Sequence, residues 1–244
     1  MKASNQQKEI IKRIFLLRHG QAQHNPRAEA ARAKGCSHET FLQLMHEDDV
    51  LDSELTELGR EQAKLLSITQ KEKLKHVELI ISSPLSRAIQ TAEFAVPLDL
   101  NANATRIAVE TFREINGWLL NAKRRCVSEL RNFYPHWIFE NLSNEDKLWT
   151  PNLESESSCG ERGYQGLIYA YRSRKENNIL IVSHGGLFRF ALVNHPRIKL
   201  ECGRGIDQTR SVSARFNNCE IREYEMKCEA GEDPIITLRE ITES

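Results

Sequence analysis

The chain has 244 residues, 40% apolar and 28% charged, with 34 basic and 34 acidic side chains and a formal net charge of zero. That length can bury a sizeable core, and a single domain spanning residues 1–244 is its simplest division. Zero net charge leaves no global field to recruit nucleic acid or an anionic membrane, so any anion must be bound by local cations.

The opening segment is polar and lacks the apolar core of a signal peptide. No apolar run approaches the roughly 20 residues that a membrane helix needs. Six cysteines, at 36, 126, 159, 202, 219 and 228, include no Cys-x-x-Cys pair, so free thiols are expected rather than a disulfide framework or a zinc site. These features point to a soluble, cytoplasmic protein.

The first element is a strand at 13–17, where Ile14-Phe15-Leu16-Leu17 reads as buried on both faces and therefore parallel. It runs directly into Arg18-His19-Gly20. Residues 26–51 form a long insertion, Ala-rich at first and then with helical potential around Phe41-Leu42-Gln43-Leu44-Met45. A helix follows at 56–69, a strand at 77–82, and a helix at 84–95 whose start suits Pro84, since the first turn does not need its missing N–H. A strand at 107–110 and a helix at 124–133 come next. Residues 133–158 are irregular, with Pro135, Trp137, Trp149 and Pro151. Insertions at the catalytic ends of strands shape pockets, and both this segment and 26–51 are expected to cover a site.

A helix at 160–175 leads to a second buried strand at 178–183, which ends in His184-Gly185-Gly186. Segments 210–216 and 219–225 flank Asn217-Asn218, a pair that tolerates a tight turn, so an antiparallel edge is expected near the C-terminus. Strands alternating with helices predict an α/β fold, a three-layer α/β/α sandwich around a mostly parallel sheet.

In such folds ligands bind beyond the carboxyl ends of strands, where this chain places two histidines. A neutral imidazole at His19 can attack phosphorus and divide one hard displacement into two easier ones. Arg18 offers a planar fork for phosphate oxygens, and its charge lowers the imidazole pKa. Gly20 lets the backbone approach an oxyanion closely. Arg87, early in its helix, reads as a second phosphate fork, and His184 as a donor to phosphoryl oxygens. A carboxyl group must protonate the leaving oxygen and later activate water. Glu110 and Glu114 both follow a strand, and spacing does not choose between them. Arg124 and Arg125 could meet a distal acidic group of the substrate or lie on a solvated helix face. Nothing assigns a role to His24, His38, His46 or His136, and Arg222 and Arg239 read as exposed sheet surface.

Several of these segments carry a resemblance together. Leu17-Arg18-His19-Gly20 with Asn25, Ser83 through Arg87 with Thr91, and Ser183-His184-Gly185 resemble the histidine phosphatase superfamily in its phosphoglycerate mutase-like branch. Asp52-Ser53-Glu54-Leu55-Thr56-Glu57-Leu58-Gly59 with Gln62-Ala63 matches the same branch, and the motifs extend from Arg13 to about Phe190. The resemblance implies that His19 is phosphorylated, that Arg18, Arg87 and His184 form the phosphate pocket, and that Asn25 and Gly185 line it. It matches Glu114-Ile115-Asn116-Gly117 to the acid region and so selects Glu114 over Glu110. It implies a small phosphorylated substrate and neither metal nor cofactor.

A narrower similarity, in Arg113 through Gly117, Arg124-Arg125, Ser128-Glu129-Leu130 and Leu148-Trp149 before Glu154, is to fungal and plant phosphomutase-like proteins. Those relatives often carry Cys-Asp where this chain has Asn121-Ala122-Lys123. The expected activity is a metal-independent phosphatase. The alternatives are a phosphoglycerate mutase and a non-catalytic binding protein. Oligomeric state is not legible.

Overall fold

The computed structural model describes residues 10–201 and 215–241. In chain order its elements are β1 (Lys12–Arg18), α1 (Pro26–Ala33), α2 (His38–Glu47), α3 (Glu57–Thr69), the single turn α4 (Lys71–Leu74), β2 (Leu79–Ser82) and α5 (Ser86–Ala95). There follow β3 (Thr105–Ala108), α6 (Val127–Phe133), β4 (Ile138–Phe139), α7 (Glu156–Arg172), β5 (Asn178–Ser183) and α8 (Gly185–Arg189). The last three are β6 (Ile198–Glu201), β7 (Ile221–Cys228) and β8 (Ile236–Glu240). Among the described residues the strands form one sheet in the order β4-β3-β2-β5-β1-β7-β8-β6.

The apolar strands explain the layering. Ile14 and Leu16 of β1, with Ile179 and Ile181 of β5, join a core on one face that α7 covers with Tyr164, Leu167 and Ala170. Phe15, Leu17, Leu180 and Val182 point the other way, under Ala63 and Leu66 of α3 and Ala88, Ile89 and Ala92 of α5. The strands are apolar without alternation because both faces are buried. Each fully buried Ile or Leu contributes about 1.5–3 kcal/mol, and cutting Leu16 to alanine would cost about 2–5 kcal/mol.

From β4 to β1 all pairings are parallel, and β7 then runs antiparallel to both β1 and β8. The expected sandwich and its antiparallel C-terminal region are therefore present. The hairpin itself differs. Residues 210–214 lie outside the described residues, and Arg215 and Phe216 are not strand. Glu220 N donates to the Asn217 carbonyl at 3.0 Å to close the turn, and the hairpin partner of β7 is β8.

Caps set several boundaries. Thr56, Ser37 and Ser155 each accept a backbone N–H three residues on, at 3.1 Å, and start α3, α2 and α7. Thus α7 begins at Glu156, earlier than expected. α5 begins at Ser86 rather than at Pro84, because Asp52 caps it from outside: Oδ1 accepts Ser86 N–H at 2.8 Å and Oδ2 the Ser86 hydroxyl at 2.6 Å. α6 starts only at Val127, where Glu129 accepts the Cys126 N–H, which leaves Arg124 and Arg125 in the preceding extended segment.

Insertion 26–51 folds as α1 and α2. Residues 138 and 139, within the other insertion, add β4 to the sheet edge beside β3. No described helix is long and apolar enough to cross a membrane. Cys36, Cys126, Cys159, Cys219 and Cys228 are free, and Cys202 lies outside the described residues.

Candidate active site

Parallel pairing brings three strand ends together. Arg18 of β1 is in register with Ser183 of β5, and Ser82 of β2 with Val182. His19, Ser83 and His184 therefore leave the sheet side by side. His19 N–H donates to the Ser183 carbonyl at 3.0 Å, and the two imidazole centroids lie 5.0 Å apart at 60°. His184 Nε2 pairs with Ser83 Oγ at 2.8 Å.

The hydrogen bond of His19 defines its tautomer. Nδ1 lies 2.7 Å from the Gly20 carbonyl, which can only accept, so Nδ1 carries the proton and Nε2 keeps its lone pair. Burial, then the charges of Arg87 and Arg18, hold the His19 pKa well below its ordinary value. His184 is depressed in the same way by burial, Arg87 and His19. Both rings are neutral at pH 7, and Nε2 of His19 is a competent nucleophile.

The surrounding cations are fixed and incompletely paired. Arg87 is fully buried and donates Nη1 to the Asn121 carbonyl at 2.6 Å, while its Nε and Nη2 have no protein partner. Burial lowers its pKa to about 10, which leaves it charged at neutral pH. Arg18 donates Nη1 to the Phe216 carbonyl at 2.8 Å and Nη2 to Glu29 of α1 at 2.5 Å, and its buried Nε is unpartnered. Nδ1 of His184 is unpartnered too. Grouped around two neutral imidazoles, these unpartnered polar atoms suit an oxyanion. Thr91 braces the group: its hydroxyl donates to the Arg87 carbonyl at 2.7 Å and accepts the Gly20 N–H at 3.0 Å.

The two candidate acids separate. Glu110 bridges Arg113 at 3.1 Å and Arg124 at 2.9 Å. Glu114 instead lies on the first turn of α8, accepting from Leu187 N at 3.1 Å and Gly186 N at 3.3 Å. A Cβ on Gly186 would stand 2.2 Å from Glu114 Oε1, so glycine is what admits the carboxylate there.

The remaining expected residues have mixed placements. A Cβ on Gly185 would stand 3.3 Å from Arg18 Nε, so this glycine sits beside the guanidinium. The absent Cβ of Gly20 makes room for α3. The Gly20 N–H is held by Thr91, and the space for its Cβ is filled by the Gly59 carbonyl of α3, at 2.6 Å. Asn25 Oδ1 accepts Ala22 N–H at 3.1 Å, and its Nδ2 donates to His24 Nε2 at 3.0 Å. His24, buried and held neutral by burial and by Arg87 and Arg18, pairs onward with Ser53.

Arg124 does not lie on a solvated helix face: it is buried and precedes α6. Its buried guanidinium donates to Glu110 and to the carbonyls of Arg125, Ser143, Asn144 and Glu145, which occupies all five N–H groups. Arg125 remains one-quarter exposed, 3.5 Å from both Asp52 and Glu54. Ser83, Asp52, Glu29 and Asn121 have pocket contacts that sequence reasoning did not assign. Ser83 and Asp52 stand inside the motifs quoted above, which give them no role, and no motif signals Glu29 or Asn121; each acts on a partner brought near only by the fold. Among the described residues no group of three or more His, Cys, Asp or Glu side chains is placed to hold a metal ion.

A doubly wound sheet whose strand ends present an uncharged histidine among arginines defines a phosphoryl-handling enzyme. The sequence profile of the histidine phosphatase superfamily (branch 1) matches residues 14–230, and the chain belongs to that superfamily. It is 32% identical over 240 residues to "Phosphoglycerate mutase-like protein 1" of Arabidopsis thaliana, covering 86% of this chain and 79% of that protein. A second Arabidopsis thaliana protein, "Phosphoglycerate mutase-like protein", is 30% identical over 240 residues, with 86% and 83% covered. Among solved structures, a mycobacterial glucosyl-3-phosphoglycerate phosphatase with inorganic phosphate shares the fold at a TM-score of 0.52 and 20% identity, over 93% of this chain and 95% of that one.

Proposed function

We propose that this chain is a metal-independent phosphatase that hydrolyses a small phosphomonoester through a phosphohistidine at His19. The observation that carries the reading is the buried neutral His19, its Nε2 lone pair free, beside Arg87 with two unpartnered donors. Nε2 attacks phosphorus, the phosphorus–oxygen ester bond breaks, and Glu114 gives its proton to the leaving oxygen. Water then attacks the phosphohistidine while the Glu114 carboxylate takes its proton. Phosphate leaves and Nε2 is restored. Arg18, Arg87 and His184 balance the charge of the transferring group, with Asn25 and Gly185 at its edge.

We read the chain as one domain whose two insertions cover this pocket. Supporting this, Glu29 of α1 holds Arg18, and Asp49 accepts Leu120 N–H at 2.6 Å and Asn121 N–H at 2.8 Å, in the loop whose carbonyl holds Arg87. His46 of α2 stacks on Trp118 at 5.2 Å. From the second insertion, Asp146 pairs with Arg113, next to Glu114, at 2.7 Å. Of the arginine pair, Arg125 is the one left to meet a distal substrate group. Free thiols and zero net charge fit a cytoplasmic enzyme that does not act on nucleic acid.

The test is phosphate release against isomer formation from 3-phosphoglycerate and a phosphomonoester panel, with rapid quenching. Wild-type protein is expected to release phosphate and to carry an acid-labile, base-stable phosphoryl group that His19→Ala lacks. Stoichiometric isomerisation without release would establish a mutase instead. Unchanged turnover in His19→Ala would remove the mechanism.

A further inference from the structure

We infer that Arg162 of α7 is a positioning residue for the general acid: clasped to Glu154, it fixes the loop that presents Glu114. The inference rests on the reading of Glu114 as proton donor. Nε and Nη2 of Arg162 grip the two oxygens of Glu154 at 3.2 and 2.7 Å. Nη1 donates to the carbonyls of Thr111 at 3.1 Å and Arg113 at 2.7 Å, and Nη2 also donates to the Glu114 carbonyl at 3.0 Å. These contacts occupy all five N–H groups of the guanidinium.

Glu154 extends the clasp beyond the acid. Its Oε2 accepts Asn116 N–H at 2.9 Å, and its own N–H donates to the Asn116 carbonyl at 2.8 Å. The pair therefore holds the loop at 111, 113, 114 and 116, on both sides of the acid. Burial pushes the Glu154 pKa up, but Arg162 and the Asn116 N–H hold it below its ordinary value, so the ion pair persists at neutral pH. Glu114 thus has its backbone anchored to α7 and its carboxylate to α8. An ammonium has three donors on a compact head and cannot span this set of acceptors, so lysine does not substitute for arginine.

Loosening the loop misplaces the carboxylate, and a 1 Å error in such a group costs about 10²-fold. The loss falls only on steps that need the proton. An alkyl phosphate needs it to expel its basic alkoxide, whereas 4-nitrophenyl phosphate has a leaving group that departs without it. The measurement is kcat/KM, which reports the steps through phosphoryl transfer to His19, for both substrates with Arg162→Lys, Glu154→Gln and Glu114→Gln. Arg162→Lys is expected to lose about 10²-fold on the alkyl phosphate and about threefold or less on the aryl phosphate, with inhibition by inorganic phosphate unchanged. Glu154→Gln, which keeps a carbonyl acceptor, is expected to show the same selectivity with a smaller loss, and it decides the matter if Arg162→Lys does not fold. Equal losses on the two substrates, or no loss on the alkyl phosphate, would overturn the inference. If Glu114→Gln itself lacks the selectivity, the reading of the acid fails. If it has the selectivity and both clasp variants lack it, the clasp alone fails.

Discussion

Replacing Gly186 with alanine places a methyl carbon 2.2 Å from Glu114 Oε1, 3.0 Å from its Cδ and 3.4 Å from Oε2. A carbon–oxygen contact of about 3.3 Å requires the carboxylate to retreat by about 1 Å. The obstacle is the end of a flexible side chain, so the carboxylate moves and the backbone stays. Alanine in a helix gains about 1 kcal/mol over glycine, while the N–H contacts from Gly186 and Leu187 weaken by about 1–2 kcal/mol. The net loss of about 0–1 kcal/mol lowers Tm by no more than about 2–4 °C. Activity is different, because with Glu114 as the proposed proton donor a 1 Å displacement costs about 10²-fold in kcat on an alkyl phosphate. Steady-state kinetics and a thermal melt on the same preparation check this, with competition by inorganic phosphate as a control for the arginine pocket. A Gly186→Ala protein with wild-type kcat would refute both the placement of Glu114 and its role.

Further outcomes follow from the same geometry. His19, His24 and His184 are all depressed by burial first, so below the unfolded-state value of about 6.5 the unfolded chain binds more protons than the folded one. Their contribution to stability is therefore complete above about pH 6.5 and is lost as pH falls toward their folded values; a Tm that stays level or rises from pH 7 to 5.5 would contradict it. Arg124→Met should cost about 3 kcal/mol in denaturant unfolding by taking one donor from Glu110 and from each of four carbonyls, whereas Arg125→Met should cost less than about 1 kcal/mol and act on KM. Gly59→Ala would put its Cβ 2.1 Å from the Gln21 carbonyl, which is backbone and cannot swing aside, so a loss of about 1–3 kcal/mol is expected in the same assay.

The legible parts of this molecule were those that follow from local pattern. β1 and β5 are apolar on both faces because they lie between two helical layers, and the residues at their ends became neighbours once parallel pairing was assumed. Features that depend on distant partners could not be read. The start of α5 is set by Asp52, 34 residues upstream, not by Pro84. The adjacent Arg124 and Arg125 look equivalent in sequence, yet carbonyls from 143–145 bury one and leave the other partly exposed. Gly20 suggested a close approach but not its partner, which is another glycine on α3. The choice between Glu110 and Glu114 came from resemblance; in the structure Arg113 and Arg124 draw the former away.

The position of β1 bears on how the enzyme fails. It is hydrogen-bonded along its length to β5 on one side and β7 on the other, so its amides should exchange with deuterium only when the whole sheet opens. α1 buries Ala28 alone and α2 buries none of its residues, yet α1 steadies Arg18 and Asp49, just after α2, steadies the loop over Arg87. Such helices can detach at low free-energy cost while His19 stays in place. In a urea titration, turnover should disappear before the circular dichroism of the sheet changes. The protein would then pass through a form that keeps its proposed nucleophile in place and has lost the means to use it.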